Sequence, residues 1–258
     1  MFFDLKNFCL PQYQKKKKHP STFLIRNSDN QQRSDDEDIK KIQLLSTISH
    51  EIKNPLAIIR ASVETLQKLD TKIAPSMQQD LLHRVLFYTK KITTLLDKLN
   101  LTDRFTHNSI IVTMQRFDVF VFCKEVIADV RTHVLQIDYQ EKQIILRGIH
   151  REIIADRILL EQMLSNLIFN ALKYANYKVT VSITEEYIEV LDDGYGMDDE
   201  EIPMITQKFY QGKNAVCNKH SLGLGLFIVQ QIAKIHSTKV QFFSKRNNEE
   251  GLCVQFFI

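Results

Sequence analysis

The stretch Ser-His-Glu-Ile-Lys-Asn-Pro-Leu at residues 49–56 decides how the rest of the chain is interpreted. It places His50 directly before the carboxylate of Glu51, with the amide of Asn54 one helical turn further on. A neutral imidazole is a good nucleophile near pH 7, and an adjacent carboxylate can hold its tautomer and accept its proton. The stretch therefore predicts a histidine that accepts a phosphoryl group. The alternative is an ordinary surface histidine on a helix.

Apolar residues on both sides of this stretch recur at helical spacing. They lie three or four positions apart over residues 39–69 and again over residues 81–99, with a break at 70–76 that contains Pro75. This pattern predicts a hairpin of two helices within residues 36–104. One hairpin leaves an apolar face uncovered, and pairing of two copies into a four-helix bundle would cover it. We therefore predict a homodimer; the alternative is a hairpin packed onto its own C-terminal domain.

Residues 105–258 show a mixed pattern of strands and helices. Helices are predicted near residues 118–133, 156–174 and 222–236, and strands near 117, 143–147, 152–155, 178–184, 187–191, 239–245 and 252–258. Antiparallel strands with helices on one face predict an α+β sandwich. Residues 1–35 are polar and interrupted by prolines, so we expect a disordered tail or linker without a sensor domain.

Composition excludes several classes of function. A net charge of +3 over 258 residues argues against nucleic acid as the main partner. No apolar run approaches the roughly 18 to 20 residues of a transmembrane helix. Four scattered cysteines are typical of reduced thiols, so we expect a cytoplasmic protein without a membrane anchor. The basic run Lys15-Lys18 is interpreted as part of the solvated tail, with contact to an anionic membrane surface as the alternative.

One predicted helix carries a polar face suited to a nucleotide. Asn166, Asn170, Lys173 and Tyr174 are spaced four, three and one apart, so they cluster on one side of the helix. Two amides, an ammonium group and an aromatic ring suit Mg²⁺, phosphate and a base, since an amide oxygen can fill one position of octahedral Mg²⁺. The alternative is a plain exposed polar face.

The first of two glycine segments follows a predicted strand. Asp192, at the end of that strand, can accept a hydrogen bond from an adenine amino group. Gly194 and Gly196 allow the backbone to turn and to approach a ligand closely.

The second glycine segment opens a predicted helix. Gly223, Leu224 and Gly225 expose backbone N–H groups at a helix N-terminus, where phosphates bind favourably. The long polar stretch between the two glycine segments is typical of a functional lid. Its Lys208 and Lys213 could reach a γ-phosphate.

In this order, the segments resemble the sequence boxes of the bacterial sensor histidine kinases of two-component systems. The similar segments are residues 49–56 (H box), 166–174 (N box), 192–197 (first glycine box), 208–210 (part of the F box) and 222–229 (second glycine box). The resemblance spans residues 39–258. It implies a dimerisation and phosphotransfer hairpin followed by an ATP-binding domain of the superfamily that includes gyrase, Hsp90, histidine kinases and MutL.

The resemblance also implies a role for each matching residue. His50 would be phosphorylated from ATP, Glu51 would act as its base, and Asn54 would position water or the phosphoryl group. The implied nucleotide and metal contacts are Asn170 to Mg²⁺, Asn166 and Lys173 near phosphate, Tyr174 against adenine, Asp192 on the adenine amino group, and Gly194, Gly196, Gly223 and Gly225 shaping the pocket. The phosphoryl group would pass to an aspartate of a response regulator.

Three positions depart from the family pattern. Thr206 stands where the F box usually begins with phenylalanine, and Gln211 replaces an arginine that usually follows Tyr210. His220 or Ser221 occupies a region where the second glycine box usually has a further glycine. These departures leave open an adaptor that binds a regulator or another kinase without ATP chemistry. A net phosphatase using Asn54 is the other alternative, whereas an ATPase without phosphotransfer would not need the H box.

Overall fold

The computed structural model describes residues 45–68, 74–134, 141–212, 222–244 and 251–258. Thr47–Ile258 forms one compact unit; of the other unit, Met1–Ser46, only residues 45 and 46 are described. The predicted tail at 1–35, with its basic run, therefore lies outside the described residues. Among the described helices, none is long and apolar enough to cross a membrane.

Two long helices form the N-terminal part of the compact unit. Helix α1 covers residues 45–68, and α2 covers Pro75–Thr106. The predicted hairpin helices are therefore present, and α1 continues through the buried Pro55. Pro75 does not lie in a break, as predicted, but begins α2, because proline suits the first helical position.

The described residues of the C-terminal part form strands and three helices. In chain order the elements are β1 (Met114–Asp118), α3 (Val119–Val134), β2 (Gln143–Gly148), β3 (Glu152–Asp156), α4 (Arg157–Tyr174), β4 (Lys178–Ile183), β5 (Tyr187–Asp192), α5 (Gly225–Ile235), β6 (Val240–Ser244) and β7 (Leu252–Phe257). Five strands form one sheet in the order β2-β4-β5-β7-β6, and β1 pairs with β3 in a separate antiparallel pair.

One strand pairing corrects the sequence interpretation. β2 runs parallel to β4, whereas the other pairs in the five-stranded sheet are antiparallel. The sheet is therefore mixed and not purely antiparallel. A parallel neighbour needs a crossover, which the chain makes through β3 and α4.

The main core lies between one face of this sheet and the helices. Alternate residues of β4, Val179 and Val181, are fully buried and meet the buried side of α4, including Leu164 and Ile168. In β5, buried and half-buried residues alternate, with Ile188 and Val190 buried, which is the pattern of a strand with one covered face. The prediction of an α+β domain is confirmed.

Aspartates cap the N-termini of α3 and α4. The Val121 N–H donates to Asp118 Oδ1 at 2.8 Å, and the Leu159 N–H donates to Asp156 Oδ1 at 3.0 Å. Asp156 Oδ2 also accepts the Thr113 N–H at 2.7 Å, which ties the segment before β1 to the start of α4. Each cap satisfies a backbone donor that the helix itself leaves free.

The end of the hairpin formed by the start of α1 and the end of α2 packs on the α/β part, while other apolar residues of the hairpin remain exposed. Ile48, Leu95 and Leu99 pack against the main core, and α2 contacts α5. Leu56 of α1 and Leu86 of α2 remain 53% and 68% exposed. Intramolecular packing therefore covers one side of the hairpin and leaves an apolar surface on another.

Candidate functional site

Helix α4 holds a buried amide with an unusual feature. Asn166 is only 3% exposed, and its Nδ2 atom has no hydrogen-bond partner among the described residues. Buried polar atoms are nearly always paired, so an orphaned donor calls for an explanation. An anionic oxygen placed beside Asn166 would satisfy it.

The other predicted residues of α4 follow along the same helix. Asn170 is half-buried, and Tyr174, which ends the helix, is 36% exposed. The Lys173 ammonium lies 5.0 Å from the centre of the Tyr174 ring, in a cation–π contact. The helix thus presents an amide, an ammonium group and an aromatic ring near its C-terminus.

Asp192 lies at the end of β5 and is 3% exposed. Its Oδ1 accepts the Gly194 N–H at 3.0 Å and the Leu252 N–H at 3.3 Å. Burial raises the pKa of Asp192 to about 6, although these two hydrogen bonds and the charge of Lys142 act in the opposite direction. Both described hydrogen bonds use Oδ1, so Oδ2 can receive a further donor.

The first glycine segment is packed too closely for side chains. A Cβ on Gly194 would overlap the Tyr174 carbonyl, and a Cβ on Gly196 would lie 2.6 Å from Ser244 Oγ. Gly196 also has a φ of +71°, in the left-handed region that favours glycine. The end of α4, the segment after Asp192 and the end of β6 therefore converge.

The second glycine segment leads into α5, and the helix begins later than predicted. Gly223 has a φ of +65°, so it cannot be helical, and α5 starts at Gly225. A Cβ on Gly225 would lie 3.8 Å from Asn166 Oδ1. Leu224, between the two glycines, is buried at 2% exposure. The positive end of the α5 dipole therefore faces the amide of Asn166.

The predicted lid is described only in part. Lys208 is exposed, and its ammonium lies 5.1 Å from the centre of the Phe209 ring. Thr206 is half-buried and Gln211 is exposed. Lys213, His220 and Ser221 lie outside the described residues.

Sequence reasoning missed several residues that shape the site. Lys142 Nζ donates to the carbonyls of Leu172 and Ala175 at 2.8 and 2.7 Å, and so caps the end of α4. A Cβ on Gly251, which has a φ of +125°, would overlap the backbone of Asp192. A glycine immediately before the last strand was an available signal, whereas nothing local marked Lys142.

The hairpin carries the other predicted group. His50 and Asn54 are exposed on α1, while Glu51 is 9% exposed. His50 and Asn54 are one helical turn apart and on the same face, as predicted. The structure therefore leaves the imidazole accessible, on a different element from the cluster around Asn166 and Asp192.

These features define a class: an α/β domain built to hold a nucleotide, joined to a helical hairpin that displays a histidine. The His Kinase A (phospho-acceptor) domain matches residues 40–107. The Histidine kinase-, DNA gyrase B-, and HSP90-like ATPase domain matches residues 155–258. The chain therefore carries the phospho-acceptor and ATPase domains of the sensor histidine kinases, which confirms the family prediction.

Individual relatives agree with this family. Sensor histidine kinase YvrG of Bacillus subtilis is 25% identical over 79% of the chain and 36% of its own length. Sensor histidine kinase YkoH of the same bacterium is 27% identical over 84% of the chain and 48% of its own length. Heme sensor protein HssS of Staphylococcus haemolyticus is 27% identical over 95% of the chain and 53% of its own length. The chain thus spans about half or less of these relatives.

Solved structures support the same fold. Acinetobacter baumannii histidine kinase AdeS superposes with a TM-score of 0.55 at 19% identity, covering 81% of this chain and 97% of that one. ShkA in complex with AMPPNP gives a TM-score of 0.51 at 18% identity, covering 79% and 45%.

Proposed function

We propose that the chain binds ATP between Asp192 and the N-terminus of α5, and transfers the γ-phosphoryl group to His50. The observation that carries this proposal is the buried amide of Asn166. Its Nδ2 has no hydrogen-bond partner among the described residues, and its Oδ1 lies 3.8 Å from the position of a Cβ on Gly225. A donor without a partner, next to the positive end of a helix, fits a phosphate oxygen. Asp192 then receives the adenine amino group at the other end of the site.

The proposed cofactor Mg²⁺ fits the chemistry of the α4 side chains. Asn170 would supply an amide oxygen, with phosphate oxygens and waters as the remaining ligands. When bound, the ion supplies positive charge that neutralises the phosphates during transfer. Lys173 and Lys208 provide further positive charge, and Lys213 is proposed to do the same.

The chemistry at His50 follows from its exposure and its neighbour. One ring nitrogen of the neutral imidazole forms a bond to the γ-phosphorus as the bond to the β-bridging oxygen breaks, and ADP leaves. Glu51 holds the other ring nitrogen and takes up its proton. The phosphoryl group then passes to an aspartate of a response regulator.

A homodimer completes the proposal. Leu45, Leu56, Leu82, Leu86 and Leu96 are each 45% or more exposed on the two hairpin helices. Several exposed leucines on the same helical hairpin mark a surface for association with another protein. We propose that a second copy covers them in a four-helix bundle, with residues 36–104 as the dimerisation unit and 105–258 as the ATP-binding unit. Because ATP and response regulators are cytoplasmic, we place the reaction there.

Incubation with Mg-ATP tests the proposal. We expect the full chain to acquire a phosphate that is labile in acid and stable in base, and His50→Gln to acquire none while still binding ATP. Equal labelling of both proteins would refute the assignment of His50. Mixing His50→Gln with Asp192→Asn chains then distinguishes transfer within one chain from transfer between the two chains of a dimer. Labelling of the mixed dimer requires transfer between chains.

A phosphatase activity is a second candidate, favoured by the exposed amide of Asn54 one turn from His50. That amide could orient water against a phosphorylated regulator. Asn54→Ala should slow dephosphorylation of the regulator without changing ATP affinity, and an unchanged rate would remove this candidate.

A further inference from the structure

A buried carboxylate lies in the turns that follow the first glycine segment. Glu201 is 1% exposed, and its Oε1 accepts the phenolic O–H of Tyr210 at 3.0 Å. Its backbone carbonyl accepts the N–H groups of Met204 and Ile205 at 2.8 and 3.2 Å. Glu201 therefore joins the beginning of this segment to a residue near its described end.

Tyr210 is in turn packed against the second glycine segment. The Phe209 N–H donates to the Gly223 carbonyl at 3.1 Å. A Cβ on Gly223 would overlap the Tyr210 carbonyl, so the two backbones are in close contact. A movement of Tyr210 would therefore require a movement of Gly223.

The backbone between these contacts is strained. Phe209 has a φ of 68°, a conformation that is rare for a bulky residue. Such conformations persist only where the surrounding structure enforces them, and they concentrate at functional sites. The hydrogen bond from Phe209 to Gly223 and the bond from Tyr210 to Glu201 enforce this one.

These contacts end at the proposed phosphate site. Gly223 is two residues before Gly225, the first residue of α5, which faces Asn166. We infer that Glu201 and Tyr210 are positioning residues for ATP, whose mutual hydrogen bond holds the second glycine segment and the first turn of α5 in the place that receives the phosphates. This inference rests on the proposed function. It assigns neither residue a direct contact with the nucleotide.

Tyr210→Phe in the full chain removes the O–H and little else. We expect ATP affinity, measured by calorimetry, to fall about tenfold, equal to about 1.4 kcal/mol. The rate of His50 phosphorylation at saturating ATP should stay within about twofold, because the chemical groups are untouched. Tyr177→Phe is the matched control, since that side chain is 75% exposed and distant in sequence.

A second pair of variants tests the partner. Glu201→Gln keeps an acceptor oxygen and should bind ATP more tightly than Glu201→Ala. In the double variant Tyr210→Phe/Glu201→Ala, the losses should not add, because both changes remove the same hydrogen bond. Independent, additive losses would contradict the coupling.

Two outcomes separate the inference from the proposed function. If the wild-type chain binds ATP and Tyr210→Phe binds it equally well, the inference is wrong and the proposed function stands. This includes the case in which Tyr210→Phe lowers only the melting temperature, which a purely structural bond would do. If the wild-type chain does not bind ATP, the proposed function fails, and the inference fails with it.

Discussion

Replacing Asp192 with asparagine should make the unliganded protein more stable and abolish tight ATP binding. Burial raises the pKa of this carboxyl from 3.8 to about 6, so the fold disfavours its charged form. A group whose pKa is raised on folding contributes stability below its unfolded pKa. That stability is lost as the pH rises through the folded value. For Asp192 the loss falls between about pH 4 and pH 6.

The size of the effect follows from the shift. At about 1.36 kcal/mol for each pKa unit, the charged Asp192 costs the unliganded fold at most about 3 kcal/mol at pH 7. An asparagine has no charge to desolvate, and its oxygen can still accept the N–H groups of Gly194 and Leu252. Its Nδ2 would then face the adenine amino group, and two donors cannot pair. ATP affinity should therefore fall even though stability rises.

Denaturant unfolding of both proteins from pH 4 to pH 8 measures this prediction. The difference in free energy of unfolding between Asp192→Asn and wild type should grow in favour of the variant as the pH rises to about 7. A difference that stays constant over this range would refute the reasoning. Asp193→Asn is the control, because the fold lowers the pKa of Asp193 and the substitution should therefore reduce stability as the pH rises. Burial acts to raise the pKa of Asp193, but N–H groups of residues 176–178 together lower it.

Two further substitutions test the site and the interface. Gly194→Ala places a methyl group on the Tyr174 carbonyl, so we expect at least about a tenfold loss of ATP affinity by calorimetry, and wild-type affinity would contradict the packing. Leu86→Glu puts a charge on a side chain that is 68% exposed on the hairpin, and it should shift the dimer to monomer in sedimentation analysis. Ile111→Glu, at an 84% exposed position outside the hairpin helices, should leave the dimer intact.

Local signals explain why most elements could be predicted. Asp156 is followed by a helical pattern, and the structure shows the cap that this arrangement predicts. The pairing direction of β2 and β4 could not be predicted, because a strand's own sequence does not specify whether a distant partner runs parallel. The start of α5 was placed too early because apolar spacing continues through Gly223, whose positive φ prevents the helix from beginning before Gly225.

Only part of the candidate site could be predicted from local sequence signals. Asn166 and Asp192 belong to recognisable segments. Their burial, and the lack of a partner for Asn166 Nδ2 within the described part of the chain, depend on tertiary packing. Glu201 appears in the sequence as one of several acidic residues in a polar stretch. Only the structure separates it from its exposed neighbours by burying it against Tyr210.

The unliganded domain carries three energetic costs, and a bound nucleotide would relieve two of them. Asp192 holds a desolvated charge, Asn166 a donor with no partner among the described residues, and Phe209 a strained backbone. An adenine amino group would pair with the first and a phosphate oxygen with the second, so the nucleotide relieves two of these costs directly. ATP at a hundred times its dissociation constant should then stabilise the chain by about 2.7 kcal/mol. Because pairing with the adenine amino group favours the ionised carboxylate, this stabilisation should shrink as the pH falls below about 6, which no purely structural role for Asp192 would produce.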